Sequence, residues 1–260
     1  MFRSLSTSAS GMRAQQIYVD TVANNLANVN TTGFKSSRAE FQDLLYQVIK
    51  PNQSLEAGAG VQPVQIGHGV KLAAVRRSFT QGSTIVTGNA LDLAISGDGF
   101  FRVELADGTF AYTRDGTFAM DGEGSLVNSA GLRVAPGLSF PEGTTEVAVD
   151  RQGNVRVRAE GEDESRESGQ IEVYRFANPA GLRSLGNNLY AETEASGDPQ
   201  QGEAGTNGYG EIEAGILEAS NVSVVEEMIR LIEAQRAYEL NSKAIQTAED
   251  MLSVANQLKR

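Results

Sequence analysis

Apolar positions near the start of the chain recur every seven residues. From about Ser4 to Ala27 there is no proline and only one glycine, so a continuous helix is predicted. The first apolar row is Leu5, Met12, Val19 and Leu26, and a second row, four residues later in each repeat, is Phe2, Ala9, Gln16 and Ala23. The two rows together favour a coiled-coil partner. An ordinary amphipathic helix packed on its own domain would give a similar pattern, so that alternative stays open.

The C-terminal stretch, from about Val222 to Leu258, repeats this pattern at greater length. Its row is Val224, Leu231, Tyr238, Ile245 and Leu252, flanked by Ala234, Ala237, Ala244, Ala248 and Ala255, which let a neighbour approach closely. A helix of this length would measure roughly 55 Å, which suits a rod better than a compact globule. Ser220 or Asn221 is expected to cap its start, with Glu226 and Glu227 near the positive end of the helix dipole.

Between these helices the period of the apolar positions changes from seven to two. Leu91, Leu93 and Ile95 alternate with other residues, as a half-buried strand requires. Asp-Gly pairs at 98–99, 107–108, 115–116 and 121–122 are strong signals for hairpin turns. The predicted fold class is therefore α+β: long N- and C-terminal helices form a coiled-coil-like core domain, and the centre is an antiparallel β-rich domain.

Composition and the two period changes divide the chain into three parts. We expect a terminal helical core domain of residues 1–30 with 222–260, and an extended connector of residues 31–70 with 196–221. Residues 71–195 are expected to form the central β domain. Glycine-rich stretches at 51–60 and 196–210 mark the connector, and the acidic run at 160–167 is expected to be a hairpin tip or loop.

Charge and residue content argue against several classes of function. The net charge of −11 makes nucleic-acid binding improbable, because phosphate contacts need a basic face. With no cysteine and a single histidine, His68, we expect no metal site, no cofactor and no catalytic site. No apolar run reaches the roughly 20 residues that span a bilayer, so no direct membrane insertion is expected. The first residues lack an apolar core, so export without a cleaved signal peptide is expected.

Three groups of segments resemble the flagellar axial family of rod and hook proteins. ANNLANVNTTGFK, residues 23–35, is similar to the family's N-terminal signature, and residues 215–252 are similar to its C-terminal signature. SGDGFF, YTRDGTF and LGNNLYAET are similar to segments of its β domain. The positions that carry the motifs are Asn24, Asn25, Leu26, Asn28, Gly33 and Phe34 in the first signature and Ser220, Asn221, Gln235, Arg236 and Tyr238 in the second.

The resemblance implies a structural subunit and not an enzyme. It implies a helical homopolymer that forms the distal part of the rod in the flagellar basal body, a hollow drive shaft around the export channel that crosses the periplasm towards the outer membrane. The implied partners are further copies of the chain, the proximal rod proteins, the hook protein, the surrounding P- and L-ring proteins and the flagellar type III export apparatus. The self-assembly seams would be one row from each helix: Leu5, Met12, Val19 and Leu26 near the start of the chain, and Val224, Leu231, Tyr238, Ile245 and Leu252 near its end. The alternative is a secreted monomeric adhesin or binding module; a hydrolase using Asp98 and Asp115 ranks below both.

One prediction concerns the terminal helix before assembly. A helix of about 24 residues with a single seam is marginal alone, so we expect the termini to be largely disordered in the monomer and to fold on assembly. Amide exchange on dilute monomer should therefore find rapid exchange at residues 5–26. Strong protection of those amides before assembly would contradict the hypothesis.

Overall fold

The chain is described by a computed structural model that covers residues 2–50, 64–141, 143–159 and 166–257. It divides into two compact units. Unit 1 comprises Met1–Ala27, Ser37–Arg77 and Ser223–Arg260, and unit 2 comprises Asn28–Ser36 and Ser78–Val222. Helices lie at the two ends of the chain and strands fill its middle, so the predicted α+β class is confirmed.

Unit 1 contains both long helices and two strand pairs. Its elements are α1 (Phe2–Ala27), β1 (Ser37–Asp43), β2 (Tyr46–Lys50), β3 (Val64–Gly67), β4 (Val70–Arg77) and α2 (Val224–Gln257). Strand β1 pairs antiparallel with β4, and β2 pairs antiparallel with β3. The ring of Tyr18 in α1 meets that of Phe41 in β1 edge-on at 6.3 Å, so this helix packs against the first strand pair as well as against α2.

The start of α2 corrects the predicted cap. The helix begins at Val224, and the amide of Glu227 donates the first helical hydrogen bond to the carbonyl of Ser223 at 3.0 Å. Ser223 therefore occupies the N-cap position, and neither Ser220 nor Asn221 does. The Asn221 amide is engaged elsewhere, by backbone groups of unit 2.

Unit 2 is built from short antiparallel strands. Its first eight are β5 (Thr84–Val86), β6 (Leu93–Ser96), β7 (Phe101–Glu104), β8 (Phe110–Thr113), β9 (Phe118–Met120), β10 (Leu126–Asn128), β11 (Val134–Ala135) and β12 (Thr144–Val149). The others are β13 (Asn154–Ala159), β14 (Arg166–Gln170), β15 (Val173–Arg175), β16 (Arg183–Gly186), β17 (Leu189–Ala191), β18 (Gln200–Gly202), β19 (Glu211–Ala214) and β20 (Ile216–Glu218), with a 3-10 turn at Pro179–Gly181.

The strands of unit 2 form one larger sheet, one three-stranded sheet and several pairs. The larger sheet has the order β11-β7-β8-β17-β16, and the three-stranded sheet has the order β12-β13-β14. The pairs are β9 with β10, β15 with β18, β6 with β19 and β5 with β20. Strands 93–96 and 211–214, far apart in sequence, therefore lie side by side, as do 84–86 and 216–218.

Two apolar clusters fill the interior of unit 2. The larger one gathers aliphatic and aromatic side chains from many of the strands, with Phe101 and Val103 completely buried. The smaller one is aromatic, with edge-to-face ring pairs such as Phe100 with Phe176 at 5.7 Å and Tyr112 with Phe176 at 4.8 Å. Edge-to-face pairs add stabilisation beyond the area they bury, so these rings help to fix the β strands around them.

The Asp-Gly pairs divide into two groups. Asp107–Gly108 joins β7 to β8, and Asp121–Gly122 lies between β9 and β10, so these two hairpin turns are confirmed. The pairs at 98–99 and 115–116 do not form hairpins, because the strands on either side of each pair have other partners. Gly116 has a packing role instead: its carbonyl accepts the Leu93 amide at 3.0 Å, and a Cβ there would overlap the Leu93 carbonyl.

Residues expected to act as a connector carry strands. Of the predicted connector, residues 37–50 and 64–67 contribute β1 to β3 to unit 1, and residues 200–218 contribute β18, β19 and β20 to unit 2. Strand β4 also lies in unit 1, although residues 71–77 belong to the predicted central β domain. Residues 51–63 and 160–165, which hold most of the glycine-rich stretch and of the acidic run, lie outside the described residues. The functional division into core, connector and β domain stays a prediction.

Replacing Gly116 with alanine should destabilise unit 2. The added methyl group has no room beside the Leu93 backbone, and overpacking of this kind costs about 1–3 kcal/mol. Gly122→Ala is the matched control, because a Cβ there meets no atom within 4 Å. Urea unfolding should find Gly116→Ala less stable and Gly122→Ala within about 1 kcal/mol of the unchanged chain. Equal stability of the two variants would contradict the packing role.

Candidate assembly surfaces

The two helices of unit 1 pack along a row of α2 that repeats every seven residues. Glu227, Ala234 and Ala248 are the buried residues of α2, and Asn241, at the remaining position of the row, is half-buried. A Cβ on Gly11 of α1 would lie 3.1 Å from the Asn241 amide. Small and polar side chains therefore line the closest approach of the two helices.

The predicted seams lie beside this contact and are only partly covered within one chain. In α1, Leu5, Met12, Val19 and Leu26 are all half-buried. In α2, Leu231, Ile245 and Leu252 are half-buried, whereas Val224 and Tyr238 are exposed, the latter to 45%. Among the fully buried positions of α1 are Ala14, Val22 and Asn25. The role of the predicted rows in self-assembly is not decided by these positions and stays a prediction.

A second apolar surface lies on the opposite face of α2. Val225, Met228, Ile229 and Ile232 are all about half exposed or more, with Val225 at 68%. Their spacing of three and four residues places them on one side of the first turns of the helix, away from Glu227 and Ala234. Four neighbouring large apolar side chains in water are unfavourable, so this face is a candidate for contact with another chain.

Asn25 and Glu227 form a buried polar contact in unit 1. The Asn25 side-chain amide donates to the Ser37 carbonyl at 2.8 Å and to the Glu227 carboxylate at 3.2 Å, and it accepts the Ser37 amide at 2.9 Å. Arg230 donates to the same carboxylate at 2.6 Å. A buried polar contact between helices disfavours other alignments, because a shift along the axis would leave these groups unpaired.

The signature residues at Gly33 and Phe34 are built into unit 2. Gly33 has φ +64, and a Cβ there would press on the backbone of Arg114 and Asp115, so a side chain is excluded on both grounds. Phe34 is buried, and the Gly33 amide donates to the carbonyl of Glu218 at 2.8 Å. This segment therefore lies directly against the residues that precede α2.

The remaining signature positions differ in exposure. In unit 2, Ser220 is buried and Asn221 is half-buried. Asn28 lies in a turn of the same unit, and its carbonyl accepts the Thr31 amide at 3.2 Å. On the helices of unit 1, Asn24, Gln235 and Arg236 are exposed. The motif positions therefore comprise buried residues with defined partners and exposed residues on the two helices.

A buried group of charges lies next to this segment. Lys35, whose side chain is 0% exposed, donates from Nζ to Glu218 Oε1 at 2.5 Å and to the Thr80 carbonyl at 2.8 Å. Arg114 lies 3.4 Å from Glu218 Oε2 and donates to the carbonyls of Ile95 and Gly97. Glu218 thus neutralises two cations in the interior of unit 2.

Burial changes the protonation equilibria of both cations. It lowers the pKa of Lys35 because the charged ammonium loses its hydration, and the nearby Glu218 carboxylate opposes that shift. It lowers the pKa of Arg114 for the same reason, with Glu218 and Asp98 opposing. Both cations therefore depend on the Glu218 carboxylate to remain charged at low cost.

Three family profiles match separate parts of the chain. Residues 5–35 match "Flagella basal body rod protein", and residues 94–157 match "Flagellar hook protein FlgE/F/G D1 domain". Residues 213–258 match "Flagellar basal body rod FlgEFG protein C-terminal".

Relatives that align over nearly the whole chain distinguish between members of this group of flagellar proteins. The flagellar basal-body rod protein FlgG of Borreliella burgdorferi is 51% identical over 100% of both chains. The FlgG of Caulobacter vibrioides is 44% identical over 99% of both, whereas the FlgF of the same bacterium is 40% identical over 90% of this chain and 88% of its own. The chain belongs to the FlgG family of flagellar basal-body rod proteins. The adhesin alternative has no support.

Each of the three matched segments contributes one residue to the buried charges. Lys35 is the last residue of the first match, Arg114 lies in the second and Glu218 in the third. In this FlgG-family chain the three matched segments therefore meet at one ionic contact inside unit 2.

Sequence reasoning did not single out Lys35, Arg114 or Glu218. Lys35 and Glu218 each lie between apolar or small neighbours, which is a weak signal for burial, and they are 183 residues apart in the chain. Arg114 is followed by Asp115, and nothing in that pair indicates a distant partner. Their pairing depends on the tertiary fold and cannot be deduced from spacing.

Two other kinds of feature are absent from the described part of the chain. Among these residues, no group of three or more potential ligands is arranged to hold a metal ion. Neither described helix has a stretch long and apolar enough to cross a membrane.

Glu218→Gln should strongly destabilise unit 2. The substitution leaves Lys35 and Arg114 buried without this carboxylate, and breaking a buried pair costs about 3–5 kcal/mol. Glu123→Gln is the control, because the ion pair of Glu123 with Arg133 is exposed and worth about 1 kcal/mol or less. Urea unfolding at neutral pH should separate the two variants by at least about 2 kcal/mol.

The same variant should show a characteristic pH dependence. Without the carboxylate, the pKa of Lys35 falls further below 10.5, so the unfolded chain binds more protons than the folded chain as pH approaches that value. The stability deficit of Glu218→Gln relative to the unchanged chain should therefore shrink as pH rises. A deficit that is absent at neutral pH, or that grows with pH, would contradict the ionic role.

Proposed function

We propose that this chain is the structural subunit of the flagellar distal rod. It polymerises helically with further copies into a rigid hollow shaft, which transmits torque from motor to hook and encloses the export channel. The observation that carries the proposal is the 51% identity to a FlgG rod protein over the full length of both chains. A contact between unlike surfaces, repeated without closing into a ring, generates such a filament.

The surface of unit 1 supports assembly through the helices. Most of the predicted seam residues are half-buried and two are exposed, and Val225, Met228, Ile229 and Ile232 present a second apolar face on α2. Burying one large aliphatic side chain contributes roughly 1.5–3 kcal/mol. A few such side chains in each subunit, repeated along a polymer, would hold a continuous shaft together, in which the two helices form a coiled-coil-like core.

The proposal includes the other parts of the flagellum. The proximal rod proteins and the hook protein would contact the two ends of the polymer, the P- and L-ring proteins would surround it, and the type III export apparatus would deliver the subunit without a cleaved signal peptide. The shaft would cross the periplasm towards the outer membrane. No catalytic role is part of the proposal, because the relatives are named as rod proteins.

Electron microscopy of concentrated purified protein tests this function. The full chain should form fibres, and a variant that lacks residues 223–260 should not, because it has lost α2. Ile229→Glu should also prevent or shorten the fibres, because it places a charge in the apolar face of α2. The absence of fibres from the full chain under all conditions would contradict self-assembly.

Thr247→Glu is the matched control for Ile229→Glu. Thr247 is exposed on α2, and 18 residues are five helical turns, so both substitutions add the same charge on the same side of the helix. Fibres from Thr247→Glu but not from Ile229→Glu would place the contact at the apolar face. Equal loss of fibres from both variants would point to a general effect of charge.

A further inference from the structure

The chain passes between unit 1 and unit 2 at four places. These crossings follow residues 27, 36, 77 and 222. At three of these crossings the unit 2 residue next to the boundary is Ser36, Ser78 or Val222. Ser36 and Ser78 lie far from Val222 in the sequence. These segments are the covalent connections between the two units.

The side chain of Asn221 bonds to the backbone of two of these segments and belongs to the third. Its Oδ1 accepts the Ser36 amide at 2.7 Å, and its Nδ2 donates to the Ser78 carbonyl at 2.9 Å. Nδ2 also lies 3.1 Å from the Thr80 carbonyl and 3.0 Å from the Thr80 hydroxyl. The Ser78 amide completes the set by donating to the Ser36 carbonyl at 2.9 Å.

The buried ion pair fastens the same three segments a short distance inside. Lys35 reaches the Thr80 carbonyl, and Glu218 accepts both Lys35 and the Gly82 amide, the latter at 2.9 Å. Only Asn or Gln carries a neutral amide with both an acceptor oxygen and two donor hydrogens, and the Asn221 bonds require both functions.

We propose that Asn221 is a positioning residue that ties together three of the four segments joining unit 2 to the rest of the chain. A force on one segment is then distributed over the other two, so this segment does not separate from unit 2 by itself. The tie itself follows from contacts within unit 2, whereas its use in bearing load rests on the proposed function. The ion pair beneath it supplies stability, and the amide holds the segment ends.

Residue-resolved amide exchange on the purified full chain tests the tie. In Asn221→Ala, exchange at Ser36 and Ser78 should become about tenfold faster or more, because a net hydrogen bond is worth about 1 kcal/mol and several are lost. In Asn221→Asp, the Ser36 amide should stay protected because an acceptor oxygen remains. The Ser78 amide, which donates to the Ser36 carbonyl, should exchange faster because the Ser78 carbonyl has lost its Asn221 donor and its segment is held less firmly. A merely structural role would speed exchange at both amides equally in both variants.

Asn178→Ala is the control, because it also removes a side-chain amide bond to a backbone carbonyl, that of Ala195, at a place remote in sequence from the crossings. It should leave Ser36 and Ser78 unchanged. Unchanged exchange at those amides in Asn221→Ala would overturn the tie.

The load-bearing role needs a second measurement, in a flagellated strain that lacks its own rod subunit. With the Asn221→Ala chain, swimming speed should fall more steeply as medium viscosity rises than with the unchanged or Asn178→Ala chain. Identical load dependence would overturn the load-bearing role. Failure of the unchanged chain to restore any motility would instead contradict the proposed function, while amide exchange would still decide the tie.

Discussion

A lysine ammonium with no exposed surface needs partners for its charge and its protons, and in this chain Glu218 and the Thr80 carbonyl supply them. That requirement fixes where three distant segments of unit 2 must lie. The segment after α1 brings Lys35, the segment after β4 brings Thr80, and the segment before α2 brings Glu218. Because a misplaced segment would leave a charge buried without its counter-ion, alternative arrangements of these strands are strongly disfavoured.

The helices are governed by a different constraint. Where α1 and α2 meet, the contact uses small or polar residues such as Gly11, Ala234 and Asn241, which bury little apolar surface. The larger apolar side chains are half covered or exposed instead. The helix pair of a single chain therefore keeps much of its hydrophobic driving force unused, and further copies of the chain can supply the missing surface.

The sequence predicted the elements better than it predicted their contacts. Seven-residue periods, two-residue periods and Asp-Gly pairs are all local properties of the sequence. The periods were enough to find both helices and the β-rich middle, and the Asp-Gly pairs were enough to find the hairpin turns at Asp107–Gly108 and Asp121–Gly122. Asp115–Gly116 has the same local signal but another role, because the Leu93 backbone occupies the space beside Gly116. Local signals carry no information on such a neighbour.

The motif residues show the same difference between what was predicted and what they contact. The resemblance identified Gly33, Phe34 and Asn221 as motif positions, but it did not say which residues they contact. The positive φ of Gly33 and the backbone partners of Asn221 appear only in the folded chain. The predicted cap at Asn221 failed for this reason, since its side chain was judged against the adjacent helix while its partners lie about 140 and 185 residues away.

Two asparagines, one from each signature segment, hold the backbone on either side of the crossing at residues 36 and 37. In unit 2 the Ser36 amide donates to Asn221, and in unit 1 the Ser37 amide donates to Asn25. An amide side chain can satisfy a backbone group where a sheet ladder does not continue. Here the two side chains do so on consecutive residues. This link is one of the covalent connections between the two units. Polar side chains suit the task of holding it because their bonds are directional, whereas apolar contacts would permit sliding.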